Sequence, residues 1–300
     1  MFEKPEIKRP VFMVGSGRCG STIIFEALSV HEDVGWLSNY NKLLPIFDIV
    51  SVMPRIYNLP FFNRLSRGEK KQYNQGENFL NLLRPIPFEC FIKWNLMCNE
   101  FEWTFLKDKT ATDKEKRKVR KTVRNILYWQ NKKRFVAKYT GPTRMTFIKS
   151  IFPDAVFIHI KRNPIAVVYS LLNVDFWQKY GKTRPRWKDG LPENWQEEWE
   201  NYNKSPLALT AIQYRTIMQI CEQEKQNLNS DDYKEFRYED FIERPQDIMS
   251  EILTVSDLPK SAKIEEFIKQ HNYTNGNQKH LDRISEEEKN MVEQIIDGWR

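Results

Sequence analysis

Cysteine is scarce. Cys19, Cys90, Cys98 and Cys221 are the only four in 300 residues, and none belongs to a C-x-x-C pair or to a disulfide or zinc spacing. A disulfide scaffold is excluded and a reducing compartment fits. No metal-ligand spacing occurs, so no metal is expected. Long apolar runs are also missing: the most apolar stretch, 43–53, is interrupted by Pro45 and Asp48 and is too short to span a bilayer. The first nine residues hold no apolar signal core, so the expectation is a soluble cytoplasmic protein without an anchor. Internal repeats, low-complexity tracts and obvious linkers are absent, and 1–300 reads as a single α/β domain.

What is present begins with charge. The chain has 47 basic and 40 acidic residues, a net charge of +7. A basic excess suits a polyanionic ligand, nucleic acid or an anionic surface, and equally a set of solvated helix faces. Residues 113–133 concentrate it. Val119, Val123, Ile126 and Leu127 form the apolar stripe of a long helix, and Lys114, Lys116, Arg117, Lys118, Arg120, Lys121 and Arg124 fill its other faces. Peripheral contact with an anionic membrane is one use of such a face, and plain solvation is another.

The most informative stretch is 10–24. Residues 11–14 are apolar, as a short buried parallel strand requires. Gly15, Gly17 and Gly20 follow, then Ser21 and Thr22 open an amphipathic helix. Strand, glycine loop and helix start direct backbone N–H groups and the helix dipole at one point, which suits a phosphate. The spacing approaches the nucleotide loop G-x-x-x-x-G-K-[ST], but Ser21 stands where its lysine belongs, and the loop's cation is Arg18. The missing lysine argues against ATP or GTP hydrolysis.

Gly17-Arg18-Cys19-Gly20-Ser21-Thr22 instead resembles the 5′-phosphosulfate loop of sulfotransferases that use 3′-phosphoadenosine 5′-phosphosulfate (PAPS). Further along, a strand at 155–160 runs into Arg162-Asn163-Pro164, with Asn163 a natural N-cap, Pro164 a natural first helical residue and Ser170 on the helix that follows. Arg162 and Ser170 can converge on one phosphate. Arg-x-Pro with a serine eight residues from the arginine resembles the 3′-phosphate motif of the same family, and the likeness covers nearly the whole chain. It is closest to bacterial-type members with arginine in the first loop.

The remaining pattern alternates. Strands are expected at 134–139 and 155–160 with a short one at 234–238. Helices are expected at 142–152, 164–176, 205–228, 245–255, 260–270 and 285–297. Residues 43–56 read as a helix broken by prolines, 57–76 as a polar loop, and 31–40 as irregular. The resulting fold class is α/β: three layers, a mainly parallel central sheet with helices on both faces, like the P-loop NTPases and sulfotransferases. Ligands then gather at the carboxyl ends of the strands.

The resemblance implies donor contacts at Gly17, Arg18, Cys19, Gly20, Ser21 and Thr22, at Lys138 on a strand end, at Arg162 and Ser170, and at Lys279 in the late segment Asn277-Gln278-Lys279-His280. It implies PAPS as co-substrate. The acceptor expected is a hydroxyl-bearing carbohydrate, lipid-linked or small molecule, with no nucleic acid partner. Arg18 is the cation expected at the sulfate. The segment Phe236-Arg237-Tyr238-Glu239-Asp240 matches a family segment read as structural. The glutamate that relatives place after the first helix is missing, so Glu89, read as lying in the first turn of a helix begun by Pro87, is the substitute base, with His31 and Asp33 as fallbacks. His159 reads as a buried structural residue. The loop's positive field is expected to lower the Cys19 thiol pKa. The aromatic and basic stretch 175–199 either overhangs the acceptor or packs on the core. A P-loop kinase and a non-catalytic nucleotide-binding protein of the same fold are the competing readings.

Overall fold

A computed structural model describes residues 5–58 and 84–297. Val11–Val14 form β1, buried along its length. Around it lie β2 (Val34–Gly35), β3 (Arg134–Lys138), β4 (Val156–Lys161) and β5 (Tyr233–Arg237). All pairings are parallel, in the order β2-β3-β1-β4-β5, which makes the strand of the glycine loop the central one. Helices cover both faces, and this is why β1, β3 and β4 read as nearly unbroken apolar runs.

The helices that matter to the site and its support are α1 (Ser21–Ser29), α2 (Phe91–Met97), α3 (Asp113–Gln130), α4 (Met145–Ile151), α5 (Pro164–Leu172) and α6 (Pro206–Lys225). They continue with α7 (Tyr238–Glu243), α8 (Pro245–Val255), α9 (Ala262–Lys269), α10 (Gln278–Leu281) and α11 (Glu286–Asp297). Successive strand residues point to opposite faces. Phe12 and Val14 therefore enter a core built with α2, α3 and α4, whereas Val11 and Met13 enter one built with α1, α8 and α9. A third apolar cluster joins α5, α6 and α11. None of the helices among the described residues is long and apolar enough to cross a membrane.

Several boundaries shift, each for a local reason. The helix expected at 142–152 starts at Met145, because Arg144 is left-handed (φ 50°) and turns its buried guanidinium onto the carbonyls of Glu102, Thr104 and Pro142. The helix expected at 164–176 stops at Leu172, and a separate short helix, Asp175–Lys179, follows. The basic helix ends at Gln130, where Asn131 takes the left-handed capping conformation. The irregular stretch 31–40 contains β2, whose Val34 and Gly35 pair with the start of β3. The stretch 43–56 is divided into helical pieces at Asn39–Leu43, Asp48–Val52 and Met53–Tyr57. From residue 59 on, the loop expected at 57–76 lies outside the described residues.

Beside β4 and β5 sits a buried polar group. His159 Nδ1 is 2.7 Å from the Tyr233 hydroxyl, which donates to Glu235 Oε1 at 2.7 Å. Lys161 and Lys225 approach Glu235 to 2.8 and 2.9 Å. Burial, reinforced by Lys161, drives the His159 pKa down to about 3, as its structural reading requires. Burial alone would raise Glu235, but hydrogen bonds from Lys161, Lys225 and Tyr233 bring it down to about 2. Both folded-state values lie below their unfolded ones, so the unfolded chain binds more protons in acid. Stability is expected to fall as pH drops below about 6.5 through His159, with Glu235 adding its share below about 4.5. Urea unfolding across pH 3.5–7 checks this: Glu235→Gln should flatten the profile below pH 4.5 and leave the His159 region unchanged.

Candidate active site

Parallel strands deliver their carboxyl ends to one edge, and the residues singled out from the sequence arrive there together. The loop after β1 comes first. Gly15 has φ +149°, and a Cβ on it would stand 2.6 Å from the Ile160 carbonyl of β4. Gly20 has φ +86°, and its Cβ would lie 2.2 Å from the Tyr238 ring. Only glycine allows the loop to lie this close to β4 and α7. Helix α1 then starts at Ser21 with no side-chain cap and no acidic residue in its first turn. Its positive end has no acidic side chain set against it, which suits an anion.

Arg18 is exposed, and its Nε donates to Ser170 Oγ on α5 at 3.0 Å. The cation at the start of α1 is Lys138. It ends β3, is nearly buried, and places Nζ 2.8 Å from Thr22 Oγ1 and 3.1 Å from Glu89 Oε1. The same Glu89 oxygen accepts from Thr140 Oγ1 at 3.0 Å. Glu89 therefore reaches the cleft, but from outside a helix. Pro87 bridges to Ser38, Cys90 is left-handed (φ 52°), and α2 begins only at Phe91. The carboxylate is held by Lys138 and Thr140, not by a helix dipole.

Arg162 leaves β4 and bends toward the loop. Its Nη1 donates to the Arg18 carbonyl at 2.9 Å, its Nε donates to Asn277 Oδ1 at 2.7 Å, and the guanidinium lies 4.6 Å above the Tyr238 ring. Burial lowers the pKa of this guanidinium, opposed by Tyr238 and Glu239. Asn163 caps α5 through Ala166 N–H, as its position after the strand predicts. The two phosphate motifs are thus joined twice, through Arg18–Ser170 and through Arg162 and the Arg18 carbonyl.

Other expectations are corrected. The Cys19 thiol is fully buried beneath the loop, and desolvation raises its pKa, although Lys138 pulls it down. Burial outweighs the loop's field. His31 and Asp33 lie at the opposite edge. His31 Nε2 is 2.9 Å from the Pro259 carbonyl, and Asp33 pairs with Lys133 just before β3 begins, so neither can serve as a base in this cleft. Lys279 is not among these corrections: it is exposed on α10, two residues after Asn277, which touches Arg162. Trp195 and Trp199 pack with α5 and α6, while Trp187 reaches back to within 2.8 Å of where a Gly141 Cβ would be, beside Thr140. Local pattern does not single out Tyr238, Glu239 or Thr140 as site residues. The signal that could find them is the same for all three: they follow β5 or β3 directly, at the edge where ligands gather. Among the described residues no group of His, Cys, Asp or Glu could hold a metal.

The sequence profile described as "Sulfotransferase family" matches residues 10–262. No curated protein sequence matches the chain. Among solved structures, sulfotransferase STF9 from Mycobacterium avium superposes with a TM-score of 0.62 at 15% identity, over 98% of this chain and 76% of that one. Sulfotransferase STF1 from Mycobacterium tuberculosis H37Rv gives 0.59 at 16% identity, over 98% and 77%. At such identities the likeness is one of fold.

The loop geometry makes a stability prediction. Gly20→Ala must place a Cβ against Tyr238 in a left-handed backbone, which costs about 1–3 kcal/mol from the backbone alone. Gly17→Ala meets only Leu171, at 3.2 Å. Urea unfolding should show Gly20→Ala clearly the less stable of the two, and equal midpoints would contradict the close approach of the loop to Tyr238.

Proposed function

Because this chain belongs to the sulfotransferase family, we propose that it transfers a sulfuryl group from PAPS to a hydroxyl of a carbohydrate, lipid-linked or small-molecule acceptor. The observation that carries this reading is the bond from Arg162 to the Arg18 carbonyl, 2.9 Å long. It makes one continuous surface of two anion sites of different construction, one of helix N–H groups and one of guanidinium and hydroxyl. A nucleotide phosphorylated at both its 5′ and 3′ positions fits such a pair. The uncapped start of α1 and the absence of acidic residues in its first turn support the same ligand.

When bound, the donor supplies the sulfuryl group and a phosphate leaving group. The backbone N–H groups of residues 17–22, with the hydroxyls of Ser21 and Thr22, hold the 5′-phosphate. Lys138, 2.8 Å from Thr22 Oγ1, and Arg18 provide fixed positive charge where the leaving oxygen gains negative charge. Arg162 and Ser170 hold the 3′-phosphate. As the acceptor oxygen bonds to sulfur and the sulfur–phosphate oxygen bond breaks, the acceptor's proton passes to Glu89. Lys138 and Thr140 fix that carboxylate on one oxygen, which leaves the other for the acceptor. Trp187, packed over Gly141 next to Thr140, walls the acceptor side.

Two measurements test this. Titration calorimetry with adenosine 3′,5′-bisphosphate should give a dissociation constant at least about tenfold weaker for Arg162→Ala, since a charge-assisted bond is worth about 1.5–3 kcal/mol. An unchanged constant would remove Arg162 from the site. With labelled PAPS and a panel of hydroxyl acceptors, Glu89→Gln should lower turnover by about 10²–10⁴-fold without weakening bisphosphate binding, and Arg18→Ala should abolish it. Full activity in Glu89→Gln would send the search for a base elsewhere, and a panel in which nothing is sulfated would favour a binding protein.

A further inference from the structure

Glu239 is the second residue of α7, which follows β5 directly, within a segment that the sequence presents as structural. Its Oε1 accepts two hydrogen bonds, from the Asn163 N–H at 2.9 Å and from Asn277 Nδ2 at 2.7 Å. Asn277 Oδ1 in turn accepts from Arg162 Nε at 2.7 Å. The other oxygen of Glu239, Oε2, is buried, has no hydrogen-bond donor among the described residues, and lies 3.7 Å from Arg237 Nε. Burial works against the charge on this carboxyl, yet the bonds from Asn163 and Asn277 hold its pKa below the ordinary value.

The chemistry of this chain of contacts runs one way only. A carboxylate must accept and a guanidinium must donate, so an amide placed between them has a single workable orientation. With its NH₂ on Glu239, Asn277 must turn its oxygen to Arg162. The same carboxylate oxygen fixes the backbone of Asn163, which follows Arg162 and caps α5, the helix that carries Ser170. One oxygen thereby orients both sides of the pocket.

We propose, on the reading that this pocket takes the 3′-phosphate of the donor, that Glu239 is its positioning residue, aiming Arg162 through the amide of Asn277 and Ser170 through the cap of α5. The experiment compares adenosine 3′,5′-bisphosphate with adenosine 5′-monophosphate by titration calorimetry on the full chain. The ratio of the two affinities isolates what the 3′-phosphate adds. In Glu239→Ala that ratio should fall about tenfold, the equivalent of about 1.4 kcal/mol, with the monophosphate affinity unchanged. Glu239→Gln, which retains an acceptor oxygen, should keep most of it. Asn277→Ala should lose the share that passes through Arg162, and the double variant should lose no more than Glu239→Ala alone.

A wild-type ratio in Glu239→Ala would overturn the inference, as would an equal loss of both ligands, which is what a merely structural role produces. Should Glu239→Ala fail to fold, Asn277→Ala decides by the same ratio. If the unmodified chain does not prefer the bisphosphate, the donor reading itself falls. If it does, and Arg162→Ala removes the preference while Glu239→Ala and Asn277→Ala leave it intact, only the role of Glu239 is lost.

Discussion

The guanidinium of Arg162 is the contact on which the cleft depends. It comes off the end of β4, reaches the carbonyl of Arg18 on the neighbouring loop, covers the Tyr238 ring from the end of β5, and holds Asn277 from a segment 115 residues away. Three separate parts of the chain thus meet at one side chain. Its planar fork is suited to this, because donors in fixed directions can serve several acceptors at once. A lysine there would present a point charge and lose both the stacking and the geometry.

On the other side of β1 the constraint is electrostatic. Lys138 is nearly buried, and a buried ammonium is tolerated only where partners compensate its lost hydration. Glu89 and Thr22 are those partners. The pair ties a carboxylate from the segment before α2 to the first turn of α1. It thereby sets a carboxylate beside the start of α1. Arg18 is exposed by contrast, and its contact with Ser170 is the more easily broken.

Whatever depends on near neighbours in the chain is legible in the sequence. The strand, glycines and helix of 11–28 declare themselves by local pattern, and so do Arg162, Asn163 and Pro164. Glu89 reaches the cleft from outside the helix expected to carry it. The left-handed turn at Cys90, which delays α2, has no mark in composition. The Cys19 pKa is misjudged because a loop's field is visible in sequence and the depth of burial is not. Tyr238 and Glu239 escape because their roles arise from β5 lying beside β4, a pairing between residues over 70 positions apart. That Asn277 turns inward onto Arg162 is likewise set by the path of the chain.

The segment 274–280, Thr-Asn-Gly-Asn-Gln-Lys-His, contains no aliphatic side chain. It is moored by polar contacts at Tyr238, Glu239 and Arg162. Detaching it would wet little hydrocarbon, so the heat capacity of opening should be close to zero. With an opening enthalpy that stays the same across temperature, a latch of this kind loosens steadily on warming, whereas an oily flap would also lose grip in the cold.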